Sequence, residues 1–265
     1  MNMEQNNKKK FGNSKKHVIK KLRSGWHCKL FQIQRERTES QPEDNRGNTL
    51  LAVAIVIATG LRPTELESGV ILRTNECGSV EIEINGAKVR EDQHGENERG
   101  IDTRWIVINP EYGQASRFLA NEIPKSLLSK NASEISFSYS KSTLKKVINN
   151  LGKKYLEMHQ PKLKDVQISP YCFRHLMSAT LKSCNELDDV QRAQVLGHLS
   201  IHSMQSYAKG FRTKTPIKPA LNVRTTQMPD ARDGKSAMKF AKMKIKSAPN
   251  ATLVTKPSSP QYPSF

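Results

Sequence analysis

Residues 50–58 read LLAVAIVIA, nine apolar side chains in a row. A helix built on this run is apolar all round, so it cannot lie on a surface and needs packing partners on every side. It falls far short of the roughly 20 residues that cross a bilayer. The partners must therefore come from the protein, and the chain has to fold as a domain wrapped around this segment. Its limits stand beside it: Asn48 is a capping residue ahead of Thr49, and Gly60 supplies a stop after Thr59, which predicts a central helix from Thr49 to Thr59. Pro63, followed by Glu65 and Leu66, restarts a short helical turn.

The elements that could surround this helix can be read from periodicity. From Ser14 to Arg37 there is no proline, and Val18, Ile19, Leu22, Trp26, Leu30 and Ile33 recur at helical spacings among Lys and Arg, predicting one basic amphipathic helix. Thr38 to Asn48, with Pro42 and Gly47, reads as a loop. After Leu72 the period changes to two: Val80, Ile82 and Ile84 alternate with Glu81, Glu83 and Asn85, a half-buried strand. Arg90 to Thr103 reads as a long hairpin tip and Trp105 to Ile108 as the returning strand. Helical patterns then cover Ser140 to Met158, Pro170 to Ser183, Leu187 to Leu196 and Ser200 to Ala208, the second opened by the cap-and-proline signal Ser169-Pro170. The expected fold class is mainly α with a small antiparallel β-sheet, an α+β domain.

Charge divides the chain into three. The formal net charge is +18, yet residues 1–46 hold 12 Lys+Arg against 5 acids, residues 47–210 hold 20 against 18, and residues 211–265 hold 11 against 2. A near-neutral domain thus lies between two basic flanks: a basic N-terminal helix and linker (1–46), a globular domain (47–211) and a basic, flexible C-terminal tail (212–265). Such flanks suit a polyanion, with nucleic acid the leading partner; the alternative is that they serve solubility alone. Within the tail, Ser236 to Ser247 interleaves apolar residues with lysines, as a helix formed on a partner would. Cys28, Cys77, Cys172 and Cys184 show neither CxxC pairing nor zinc-ligand spacing, so reduced thiols, no metal and a cytoplasmic, DNA-associated location are expected, with no secretory signal or membrane span.

Three segments carry chemistry. Thr59-Gly-Leu-Arg-Pro-Thr-Glu-Leu66 presents Arg62 just after a helix stop, where its guanidinium fork could meet a phosphate or simply pair with Glu65 or Glu67. Ser169-Pro-Tyr-Cys-Phe-Arg-His175 opens a helix with Tyr171 and Arg174 three apart, at an end that favours anions. Leu196-Gly-His-Leu-Ser-Ile-His-Ser-Met-Gln-Ser-Tyr207 closes one helix at Gly197 and His198 and brings Tyr207 nine residues on.

In this order, on a mainly helical domain with a hairpin after the first segment, TGLRPTEL, YCFR and LGHLSIHSMQSY resemble the TGLRxxEL, HxxR and LGH-to-tyrosine boxes of the tyrosine recombinase (phage integrase) family over about Leu50 to Phe211. The resemblance implies that fold's catalytic domain and site-specific cutting and rejoining of double-stranded DNA, without metal, ATP or other cofactor, by a dimer to tetramer on DNA. It implies that Arg62 and Arg174 clamp the non-bridging phosphate oxygens, that His198 adds a hydrogen bond, and that Tyr207 is the nucleophile forming a 3′-phosphotyrosyl link. Lys88, at the end of the first strand, would protonate the leaving 5′-oxygen, with Arg90, Arg99 and Arg104 as nearby competitors for phosphate. Two departures stand out: Tyr171 replaces the histidine of the second box, a phenol where an imidazole would titrate, and only about 46 residues precede the catalytic region where the family has a DNA-clamping domain. A type IB topoisomerase, or a DNA-binding relative without strand transfer, are the alternatives.

Overall fold

A computed structural model describes residues 15–41, 46–87, 100–201, 203 and 217–229. The predicted central helix is α3 (Arg46–Thr59), which begins two residues before Asn48. Ala52, Val53, Ala54, Ile55 and Val56 are fully buried. They are enclosed by α2 (Trp26–Glu39), α5 (Gln114–Ser129), α6 (Lys141–His159), α7 (Pro170–Ser183) and β3 (Thr103–Ile108), so the apolar run does find partners all round.

The stretch expected to be one basic helix is two, α1 (Lys15–Lys21) and α2, broken where Gly25 takes the left-handed conformation at φ 73°. The predicted apolar face is right, but the break lets both pieces turn it inward. Val18, Ile19, Leu22, Trp26, Leu30 and Ile33 all join the one hydrophobic core that contains α3 and α7. Trp26 stacks on Phe173 of α7 at 5.0 Å between ring centroids.

After α4 (Pro63–Ser68) comes a five-stranded antiparallel sheet in the order β4-β1-β2-β3-β5, formed by β1 (Val70–Thr74), β2 (Val80–Asn85), β3, β4 (Glu134–Phe137) and β5 (Ala220–Thr225). Register sets Leu72 against Ile82 and Ile82 against Ile106, so one face is apolar and packs on the helices. On the other face Glu81 is only 4% exposed, where alternation alone suggested a solvated residue. Arg224 of β5 reaches across the Trp105 ring, 5.4 Å from its centroid, and pairs with Glu81 at 2.8 Å.

β5 corrects the reading of residues 212–265 as a flexible tail at residues 220–225, which hydrogen-bond along β3. Composition hides it because the strand's free energy comes from an edge that exists only once β3 is folded. Two further elements lack a strong sequence signal: α5, which carries Pro124 in its interior, and the four-residue β4. α6, α7 and α8 (Asp189–Leu196) match the periodicity closely. Most of the helix expected from Ser200 to Ala208, and the segment 236–247, lie outside the described residues.

Candidate active site

The three sequence segments meet in the core, each delivered by a helix end. α3 stops at Gly60, whose φ of 63° and tight approach to Met177 (2.6 Å from where a Cβ would stand) both require glycine. Pro63 then holds Arg62 in extended backbone, φ −78° and ψ 146°, as the residue before a proline prefers. From there Arg62 turns inward. Its Nη1 donates to Glu65 Oε1 at 2.6 Å and its backbone N–H to Glu65 Oε2 at 2.6 Å. The expected alternative, Arg62 pairing with Glu65, is thus realised, but in the interior: the two residues are 4% and 0% exposed.

Arg174 lies in the second turn of α7 and is 1% exposed. Its guanidinium donates to the carbonyl of Gly60, the residue that follows α3, at 3.1 Å and to that of Leu196, the last residue of α8. Those carbonyls lack helical partners and sit at negative dipole ends, so a cation there satisfies both. The same Nη2 reaches His198 Nε2 at 2.9 Å. Arginine can only donate, so Nε2 accepts and the His198 proton resides on Nδ1. Burial, reinforced by Arg174, Arg62 and Arg104, holds His198 well below the ordinary histidine value, so it is neutral at pH 7.

Two members of this cluster were not singled out by sequence as site residues. Glu65 accepts from Arg62 and also, through both oxygens, from Arg104 (Nη2 to Oε2 2.9 Å, Nη1 to Oε1 3.3 Å). Burial alone would push the Glu65 carboxyl up, but Arg104, Arg174 and Arg62 outweigh it and hold it at about 2. Arg104 is 0% exposed and also donates Nε–H to the Val195 carbonyl at 3.2 Å, so it is no competitor for phosphate in this conformation. Its signal was present in the sequence: it shares the inward phase of β3 with Ile106 and Ile108, a charge on an otherwise apolar face. Three guanidiniums against one carboxylate leave two positive charges beside a neutral imidazole, an environment suited to a phosphoryl group gaining negative charge.

Gly197 ends α8 at φ 64°, and a Cβ there would stand 2.6 Å from Arg104 Nη1. Because Glu65 locks that guanidinium, it cannot swing aside. Gly197→Ala is therefore expected to cost about 2–4 kcal/mol, the left-handed penalty plus overpacking, measured as a fall in the denaturant midpoint.

Tyr171 does not join the cluster. It is 46% exposed on the first turn of α7, while Arg174, three residues on, is buried. His175 is half-buried and held at about 4, first by burial and then by Lys16, Arg174 and Lys182. Lys88 and Tyr207 lie outside the described residues, as do Arg90 and Arg99. The hairpin does approach the third segment, since Ile101 N–H donates to the Gly197 carbonyl at 3.5 Å. Among the described residues no group of three or more His, Cys, Asp or Glu is arranged to hold a metal ion, and no helix is long and apolar enough to cross a membrane.

No family model, curated protein or solved structure matches this chain.

Proposed function

We propose that this protein is a DNA strand transferase of the tyrosine recombinase type. One observation carries the reading: Arg174 binds the Gly60 carbonyl of the first segment, 114 positions away, and the Leu196 carbonyl and His198 ring of the third, uniting all three segments around a surplus of positive charge. Burying that many guanidiniums is costly unless partners compensate it, and here three share the field of one carboxylate.

In the proposed reaction the Tyr207 hydroxyl attacks phosphorus, forming the Tyr–O–P bond as the P–O5′ bond breaks. The tyrosine gives its proton to water, and the leaving 5′-oxygen gains one from Lys88, which regains it from solvent. Attack by another 5′-hydroxyl reverses the step and frees the tyrosine. Arg62 and Arg174 would stabilise the non-bridging oxygens. His198 would contribute Nδ1–H, because Nε2 is already an acceptor. Tyr171, exposed on the first turn of α7, would offer a phenolic hydrogen bond.

The test is a covalent adduct. Wild-type protein mixed with nicked duplex and then denatured is expected to yield a protein–DNA species that survives detergent, and Tyr207→Phe is expected to yield none. Relaxation of arbitrary supercoiled plasmid would instead favour the topoisomerase reading. A DNA-binding relative without strand transfer draws on the near-complete burial of Arg62 and Arg174, and is the correct reading if duplex is bound but wild type gives no adduct.

A further inference from the structure

The turn between α1 and α2 is fastened to the end of α6 by one side chain. Gln160 Nε2 donates to the Lys21 carbonyl at 3.1 Å, and Gln160 Oε1 accepts from the Arg23 backbone N–H at 3.0 Å and from the Tyr155 hydroxyl at 3.1 Å. Lys20 and Lys21 at the end of α1, Arg23 on the turn, and Lys162 and Lys164 on the segment that follows Gln160, are all exposed. Among the described residues none of the five enters an ion pair. Exposed acids in the same stretch are Glu157 and Asp165, so the positive surplus persists.

We infer that this platform is a docking surface for the phosphate backbone of duplex DNA, an inference that rests on the strand-transferase reading. Backbone anchoring distinguishes it from a solvated basic face: two hydrogen bonds fix the turn's path to Gln160, and a third from Tyr155 holds Gln160 itself, so the backbone that carries the cations is not ordered on binding. Its location fits the same duplex. α1 packs along α7, and Lys15 at its start lies within electrostatic reach of Cys172, in the first turn of the second segment. The seven residues of α1 span roughly 10 Å. That is about three phosphate steps along one strand. A duplex lying along α1 with one phosphate at the arginine cluster would pass the platform within a few base pairs. Lys20, Lys21 and Arg23 then act through a surface tied to the domain.

The experiment is a salt titration of full-length protein binding to a fluorescent duplex. Lys21→Gln/Arg23→Gln is expected to lower the slope of log K against log[salt] by about 1–2, since each lost phosphate contact accounts for about 0.9. The control pair Lys125→Gln/Lys130→Gln, exposed on or next to α5, is expected to leave the slope unchanged. An unchanged slope in the platform pair, an equal drop in both pairs, or stronger competition by phosphatidylserine vesicles than by unlabelled duplex would overturn the inference. Adduct formation on nicked duplex, run alongside, separates the two ideas. Adducts with an unmoved slope sink the platform alone, and a moved slope without adducts sinks strand transfer alone.

Discussion

Glu65→Gln is expected to destabilise the protein by about 3–5 kcal/mol, the cost of stripping the counter-charge from buried cations. In the native protein both carboxylate oxygens are in use, accepting from the Arg62 side chain and backbone and from two nitrogens of Arg104. A glutamine of the same shape offers one carbonyl and turns its NH2 towards a guanidinium that can only donate. The loss is measurable as a lower denaturant midpoint. Adding Arg104→Met is expected to restore part of it, because the second change removes a buried charge that the first left unpaired.

The same carboxylate sets an acid limit. The folded value of about 2 lies below the ordinary 4.5, so between those pH values the unfolded chain binds the proton first and stability falls as pH falls. The full span amounts to about 3 kcal/mol, and it is expected to be absent from the stability–pH profile of Glu65→Gln. Loss at higher pH, from 6.5 down to about 4, has a different source. His27 is held at about 4 by burial and, like His198, is neutral in the fold, so the unfolded state gains protons first there too. That part of the profile is expected to survive the substitution.

Arg174→Lys is expected to slow adduct formation by about 10²–10³-fold, the range for removing a positioned donor to a developing oxyanion. The charge remains, but an ammonium lacks the planar fork that meets the Gly60 carbonyl, the Leu196 carbonyl and His198 at once. Duplex affinity is expected to change by less than about threefold, because one internal charge is conserved and the surface cations are untouched. Single-turnover rates on nicked duplex, with binding measured separately, check both numbers. A wild-type rate would make Arg174 a purely structural tie between helix ends.

The helices α3, α6, α7 and α8 and the strand pair β2–β3 were legible because their patterns are local: a run, a period, a cap, a proline. The residues of the candidate site were legible only as types at intervals. Arg62 could be picked out without any sign that it would pair inward rather than outward. Tyr171 and Arg174 looked equivalent at three-residue spacing, yet the core takes in Arg174 and leaves Tyr171 at the surface. Arg104 looked like one of several hairpin cations until β3 was seen to turn it towards Glu65.

By itself, then, the sequence determined that a helix at 50–58 must be central, that helices and a small sheet must surround it, and that arginines stand at two helix boundaries. These follow from short-range sterics and from the solvent's rejection of apolar surface, which act on neighbours along the chain. Only the tertiary structure decided that Glu65 pairs with two arginines from different elements, that His198 is a neutral acceptor, that 220–225 completes the sheet, and that Gln160 ties the basic turn to α6. Electrostatic and hydrogen-bond partners are chosen by proximity in space, and the partners here stand up to 143 positions apart. Their strength depends on a low-dielectric interior that does not exist until the chain has folded.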